Sequence, residues 1–308
     1  MNFGENFLTY PDLFPARPSG EPWGDERVMI GLAGDIYVYE GLSTVQADAV
    51  RQRFGKLCLP LVEASPMSVR IQIFRAAADD FVENREHSRV AYNQSHTPDA
   101  VKFIGRRFMC RLDWMPELRT ALWVPEIDLQ YQLAIFVQFL QTTIAYRVFE
   151  QGGLLFHSAA VVSDGGADIF FGPSGAGKST ISRLSFAMGH AVLNDDMNIL
   201  RFTEAGIMVE KLPFTGFLGQ EGGGMAGIYP VRAMYRLYKG PTPVLHVLQP
   251  ATALVTLLGC VHYVSCDPYR WDRLIDRLQK LSTMVPIQAL TFARDDRFWA
   301  LLRSGETE

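Results

Sequence analysis

Between Gly172 and Ser179 the sequence reads GPSGAGKS, which fits the pattern G-x-x-x-x-G-K-[ST] at every fixed position. The residue types have a physical reason. A polyphosphate needs many donors at short range, and glycines let backbone N–H groups turn inward with no side chains in the way. On this reading Gly172, Pro173, Ser174, Gly175, Ala176, Gly177, Lys178, Ser179 and Thr180 bind the phosphates of ATP. Lys178 neutralises the β and γ phosphates, and the Ser179 hydroxyl ligates Mg²⁺. The plain alternative is a glycine-rich surface turn. Context favours the cradle: an apolar strand, DIFF, leads in, and a helix with Ile181, Leu184 and Met188 on one face leads out to a stop at Gly189.

A second group of candidates surrounds this loop. Asp195 and Asp196 close the run AVLNDD, at or just beyond the end of an apolar strand. In open α/β sheets the carboxyl ends of strands gather round the ligand crevice. Adjacent acids on a strand face opposite ways, so one suits a metal contact and the other a general base. Alone, NDD is also good turn chemistry. His157, in LLFHSAAVV, by itself reads as a core histidine needing one satisfied hydrogen bond. His190 reads as a bystander near a helix terminus. Arg232 and Arg236, in YPVRAMYRL, suit either a transferred phosphate or an exposed basic edge. Gly222, Gly223 and Gly224 suit a loop that closes over substrate, or an ordinary surface turn.

The elements that must hold these residues follow from periodicity. The 308 residues are 48% hydrophobic and 20% charged, enough apolar material for one large or two ordinary folded domains. A formal charge of −4 argues against nucleic acid and anionic membrane as partners. The start lacks the basic-then-apolar order of a signal peptide, and Cys58, Cys110, Cys260 and Cys266 read as reduced core residues of a cytoplasmic protein. The proline-rich first twenty or so residues read as a surface arm. RVMIGLA, DIYVYEGL and SVRIQIFRA read as strands, and STVQADAVRQRFG as a helix capped by Ser43 and stopped at Gly55. From Asp128 to Glu150, apolar residues from Leu129 to Val148 recur at helical spacing. ALVTLLGCVHYV reads as one or two buried strands. CDPYRWDRLIDRLQKLSTM reads as a helix capped by Asp267, with Trp271, Leu274, Ile275, Leu278 and Leu281 inward. The chain accordingly divides into a sheet-rich α+β domain over 1–125 and a nucleotide-binding domain over 126–308.

The stretch from His157 to Asp196 resembles the core of HPr kinase/phosphorylase and, more distantly, of phosphoenolpyruvate carboxykinase. His157 stands twenty-one residues before Lys178, the aspartates seventeen and eighteen after it, and Gly189-His190 intervenes, all as in that family. PFTG at Pro213–Gly216 and the closing DDRFWALL are similar to a divergent branch tied to peptide modification or small-molecule kinase activity. The resemblance implies an α/β fold: a phosphoenolpyruvate-carboxykinase-like phosphate-loop core with mixed sheets, behind a smaller α+β N-terminal domain. It implies that His157 supports the reacting centre with Lys178, Asp195 and Asp196, and that Glu221 joins Ser179 and the aspartates as a metal contact. The RGLG and RPGRN segments tied to phosphorolysis and to HPr are absent, so the resemblance does not extend to that activity or that acceptor.

The expected function is therefore an Mg- and ATP-dependent kinase acting on a hydroxyl of a protein, peptide or small molecule, with a homo-oligomer allowed. An ATP-binding regulatory module without transfer is the alternative, and a carboxykinase-type enzyme a weaker third. A motor or GTPase-type ATPase does not fit, since the interval from loop to acids holds only one helix and one strand.

Overall fold

The computed structural model describes residues 20–61, 68–77, 92–105, 107–114, 118–212, 214 and 227–304. It is a mixed α/β structure with two large mixed sheets. Two compact units, Met1–Ile144 and Ala145–Glu308, divide the chain, and the dividing line falls within the long helix Leu129–Glu150.

The first unit is built on eight strands in the order β3-β1-β2-β4-β8-β7-β6-β5. Strands β1 (Glu26–Leu32) and β2 (Asp35–Leu42) form a hairpin whose two turn residues, Ala33 and Gly34, both have positive φ. That backbone twist matches the twist of the strands it joins. Helix α1 (Thr44–Phe54) follows, opened by a reciprocal cap between Ser43 and Gln46, as the sequence reads, and it leads to the short strand β3 (Cys58–Leu59). Strand β4 (Ser68–Arg75) runs parallel to β2 and to β8 (Arg119–Val124), and β5 (Tyr92–His96), β6 (Ala100–Gly105) and β7 (Met109–Asp113) complete an antiparallel run beside β8. Helix α2 (Leu129–Glu150) opens with Asp128 Oδ1 accepting from the Gln130 and Tyr131 amides. Its polar Gln132 is buried, yet satisfied: it donates to Pro125 O at 2.9 Å and accepts from Gln46 Nε2 at 3.0 Å. A buried amide of this kind costs little because each polar group has a partner.

The second unit holds β9 (Leu154–Ser163), β10 (Gly166–Phe171), α3 (Lys178–Ala187), β11 (Ala191–Asn194), β12 (Met197–Thr203), β13 (Gly206–Lys211), β14 (Ile228–Lys239), β15 (Val244–Val247), α4 (Pro250–Leu258), α5 (Trp271–Met284), β16 (Ile287–Phe292) and α6 (Arg297–Ser304). Two long strands each serve two ladders. The first four residues of β9 pair with β12, and the remainder pairs with β10 on one side and β11 on the other. Strand β14 starts beside β13 and then runs parallel to both β10 and β16. The core on one face of this sheet joins Phe170, Ile181, Tyr235, Phe292, Phe298 and Trp299, so α3 and α6 are anchored by the strands they cover.

Several expectations change here. ALVTLLGCVHYV does not form strands. Pro250 opens and Gly259 ends a helix, α4, and only Val261 makes an isolated bridge, to Phe156. A short apolar run cannot be told from a strand by periodicity alone, and the Pro and Gly were the deciding signals. Asp267 caps a 3₁₀ turn over Pro268–Arg270, and α5 begins only after it, with Trp271 46% exposed rather than inward. Met188 is 42% exposed, and the buried face of α3 carries Ser182 and Ser185 beside Ile181. Of the four free cysteines only Cys110 and Cys260 are buried. Among the described residues no helix is long and apolar enough to cross a membrane.

Candidate functional site

The loop after β10 turns directly into α3. Gly175 and Gly177 have φ of 78° and 114°, a region that favours glycine. At Gly177 there is a second demand, because a Cβ there would lie 2.6 Å from Phe292 Cζ. Gly177 is the N-cap of α3 and its carbonyl accepts the first helical bond, from Ile181 N at 2.9 Å. The loop therefore presents the unpaired amides of a helix start, the part of a helix that attracts anions.

Lys178 is buried, and its Nζ donates to Gly172 O at 2.9 Å and Pro173 O at 3.4 Å. The ammonium thus spans the loop it belongs to. Burial pushes its pKa below the ordinary lysine value, with Cys260 and Asp196 acting in the opposite sense.

His157 occupies the point where β9 passes from one ladder to the other. It faces Met197 of β12, while its neighbour Ser158 faces Phe171 at the end of β10. Its backbone N–H goes to Cys260 O at 2.8 Å, and Ser158 N goes to Asp196 O at 3.0 Å. Its Nε2 stands 3.3 Å from Asp196 Oδ1. That contact, more than any other, holds the Asp196 carboxyl below the usual carboxylate range, with the charge of Lys178 adding to it.

The two aspartates form the turn between β11 and β12, and Asn194 shapes that turn. Its Nδ2 donates to Met197 O, Leu212 O and Phe214 O, and its Oδ1 accepts from Asp196 N. Asp195 is buried and Asp196 is half exposed. The turn chemistry of this segment is thus what places both acids at the cleft that the glycine loop lines.

These groups line one cleft of about 570 Å³, which includes His157, Ser174, Gly175, Gly177, Lys178, Ser179, Thr180, Asp195 and Asp196. Gly172, Pro173 and Ala176 are not among the residues that line it. Glu221 and Gly222–Gly224 lie outside the described residues. Arg232 pairs with Asp168 and Ser163 at the start of β10, and Arg236 donates to Leu237 O with its guanidinium 4.7 Å from the Tyr238 ring; neither lines the cleft. His190 stacks on Trp299 at 4.1 Å, away from the cleft.

Sequence reasoning missed two features. His262 packs edge-on against His157, ring centroids 4.8 Å apart, and burial pushes its pKa down to about 4, so the ring is neutral at neutral pH. Its Nε2 is buried without a hydrogen-bond partner. The opposite wall of the cleft comes from the ends of β14 and β16: Lys239, Gly240 and Pro241, then Phe292, Ala293 and Arg294. No local motif marks either feature: the far wall reaches the loop through the pairing of β10, β14 and β16, and His262 follows the isolated bridge of Val261 to Phe156.

Hydroxyl and carboxylate oxygens are hard ligands suited to magnesium, and Ser179, Asp195 and Asp196 bring them to one cleft. Among the described residues no three His, Cys, Asp or Glu side chains cluster as a self-sufficient metal site. The arrangement suits a cation shared with a phosphate.

No curated protein sequence matches the chain. One similar solved structure is the Hpr(Ser) kinase/phosphatase from Coxiella burnetii, at 14% identity over 48% of this chain and 90% of that one, with a TM-score of 0.26, a likeness too slight to establish a shared fold. Residues 126–302 match the family described as SynChlorMet cassette protein ScmC, and the chain belongs to that family.

Proposed function

We propose that the chain is an ATP-dependent kinase that transfers the γ phosphate to a hydroxyl, on a core of the HPr-kinase and phosphoenolpyruvate-carboxykinase type. One observation carries this reading: the glycine loop, Lys178, both aspartates and His157 share a single cleft. Backbone amides from Gly175 to Ser179 take the β and γ phosphates. Lys178 Nζ exchanges its bonds to the Gly172 and Pro173 carbonyls for phosphate oxygens. Ser179 and Asp195 would hold a magnesium ion, which supplies neutralising charge to the phosphates when bound.

Asp196 serves as the base. It is held ionised by His157, and it accepts the proton of the acceptor hydroxyl as that oxygen bonds to the γ phosphorus and the bond to the β-phosphate oxygen breaks, releasing ADP. His157 keeps the carboxylate aimed. Positioning and charge neutralisation supply most of the rate in such a site.

The test is mass spectrometry of candidate acceptors after incubation with isotope-labelled ATP and Mg²⁺. The wild type should yield a product heavier by one phosphoryl group. Asp196→Asn should lower its formation by roughly 100-fold or more while keeping ATP affinity, in line with loss of a general base. If ATP binds but no acceptor hydroxyl is ever phosphorylated, the chain is instead a nucleotide-binding regulatory module.

A further inference from the structure

The cleft has two flanks, and only one is used by the chemistry above. Across the sheet the strands run β11, β9, β10, β14, β16. The aspartates follow β11, His157 lies in β9, the glycine loop follows β10, and the far wall is made by the ends of β14 and β16. Strands β10, β14 and β16 are mutually parallel, so their carboxyl ends gather at one edge, where open α/β sheets place ligands. Neighbouring strands lie about 4.8 Å apart, which puts β16 roughly 14 Å from β9. That is farther than three phosphates need, and a nucleotide whose γ phosphate meets Asp196 must extend toward this far wall.

The wall is already braced. Gly240 N donates to Phe292 O at 3.1 Å, joining the two strand ends. Arg297 donates to Pro241 O at 3.0 Å and pairs with Asp295 at 2.8 Å, tying the segments beyond them together. Gly240 sits so close that a Cβ would lie 2.4 Å from Thr291 Cγ2. The lining chemistry on this side is apolar at Pro241, Phe292 and Ala293 and cationic at Lys239 and Arg294, with no carboxylate. A purine offers a flat face for a guanidinium and an apolar ring, and ring-nitrogen acceptors for cationic donors.

We propose that the ends of β14 and β16, through Lys239, Pro241 and Arg294, form the subsite for the purine nucleoside half of the nucleotide, with Phe292 buried beneath them as support. This rests on the phosphate-loop reading of Gly172–Ser179 and adds the part of the ligand that the loop does not address. The subsite contributes affinity and contacts no reacting atom.

Calorimetric titrations with Mg·ATP and with Mg·tripolyphosphate separate the two claims. The wild type should bind ATP at least about tenfold more tightly than tripolyphosphate, a difference that belongs to the nucleoside. Arg294 is exposed, so Arg294→Leu leaves the fold intact. It should weaken ATP about tenfold and tripolyphosphate by less than about twofold. Lys178→Ala should weaken both. Equal losses for the two ligands in Arg294→Leu, or no loss for either, would overturn the subsite while leaving the loop reading standing. A wild type that binds neither ligand overturns both.

Discussion

Gly177 carries the tightest constraint at the site, because backbone conformation and space both require glycine there. Alanine at φ 114° is strained by about 1–2 kcal/mol. Its Cβ would also press on Phe292, which is buried in the core beneath the loop and braced by Phe298, ring centroids 6.1 Å apart. Gly175 shares the positive φ but meets nothing within 4 Å. Gly177→Ala should therefore reduce ATP affinity by about tenfold or more and lower Tm, and Gly175→Ala should do clearly less of both. Calorimetric titration and thermal unfolding of the two variants check this, and equal effects would contradict the packing argument.

His262 gives a second prediction at this scale. Its pKa of about 4 in the folded chain lies below the ordinary histidine value of 6.5. Between those values the unfolded chain binds more protons, so stability is full above about pH 6.5 and is lost as pH falls toward 4. His262→Gln should flatten the fall in Tm between pH 7 and pH 5; parallel curves for variant and wild type would show that the ring does not set it.

At the scale of elements, the end of α2 is held by α5. Arg277 donates to Phe149 O at 2.8 Å and Gly153 O at 2.9 Å, and its guanidinium lies 4.2 Å from the Phe149 ring. Arg270 and Arg273 both pair with Glu150. These cations satisfy carbonyls that a helix end leaves open and oppose its negative pole. Arg277→Ala should cost about 1–3 kcal/mol in thermal unfolding, because two carbonyls lose a charged donor, with little effect on ATP affinity. Arg277→Lys should recover only part, since an ammonium lacks the planar fork.

Elements with strong local signals were legible: the capping pair of Ser43 and Gln46, the start of α2 after Asp128, and the strand–loop–helix around Gly172–Lys178. The α4 segment was not, because nine apolar and β-branched residues fit either period. The far wall of the cleft was not legible either. Phe171 and Lys239 come near Phe292 only because three strands far apart in the chain pair in parallel.

At the scale of the whole molecule, every described residue that lines the cleft falls between His157 and Arg294, inside the second unit and inside the matched span of the ScmC family. The sequence division at 126 puts the loop and the acids in this half, because they are neighbouring motifs there, while the contacts divide the chain after Ile144. Among the described residues, none of those lining that cleft belongs to the first unit. With a net charge of −4, anion binding at this loop would depend on local groups such as Lys178 and the loop amides rather than on the overall field.

The central claim is that the loop at the start of α3 holds a nucleotide's phosphates beside the two aspartates. A crystal structure of the chain with Mg²⁺ and a non-hydrolysable ATP analogue tests it most directly. The account predicts the β phosphate within hydrogen-bonding distance of the amides between Gly175 and Ser179, with the γ phosphate turned toward Asp196. Triphosphate density elsewhere on the chain, or a loop that stays empty at saturating analogue, would contradict it.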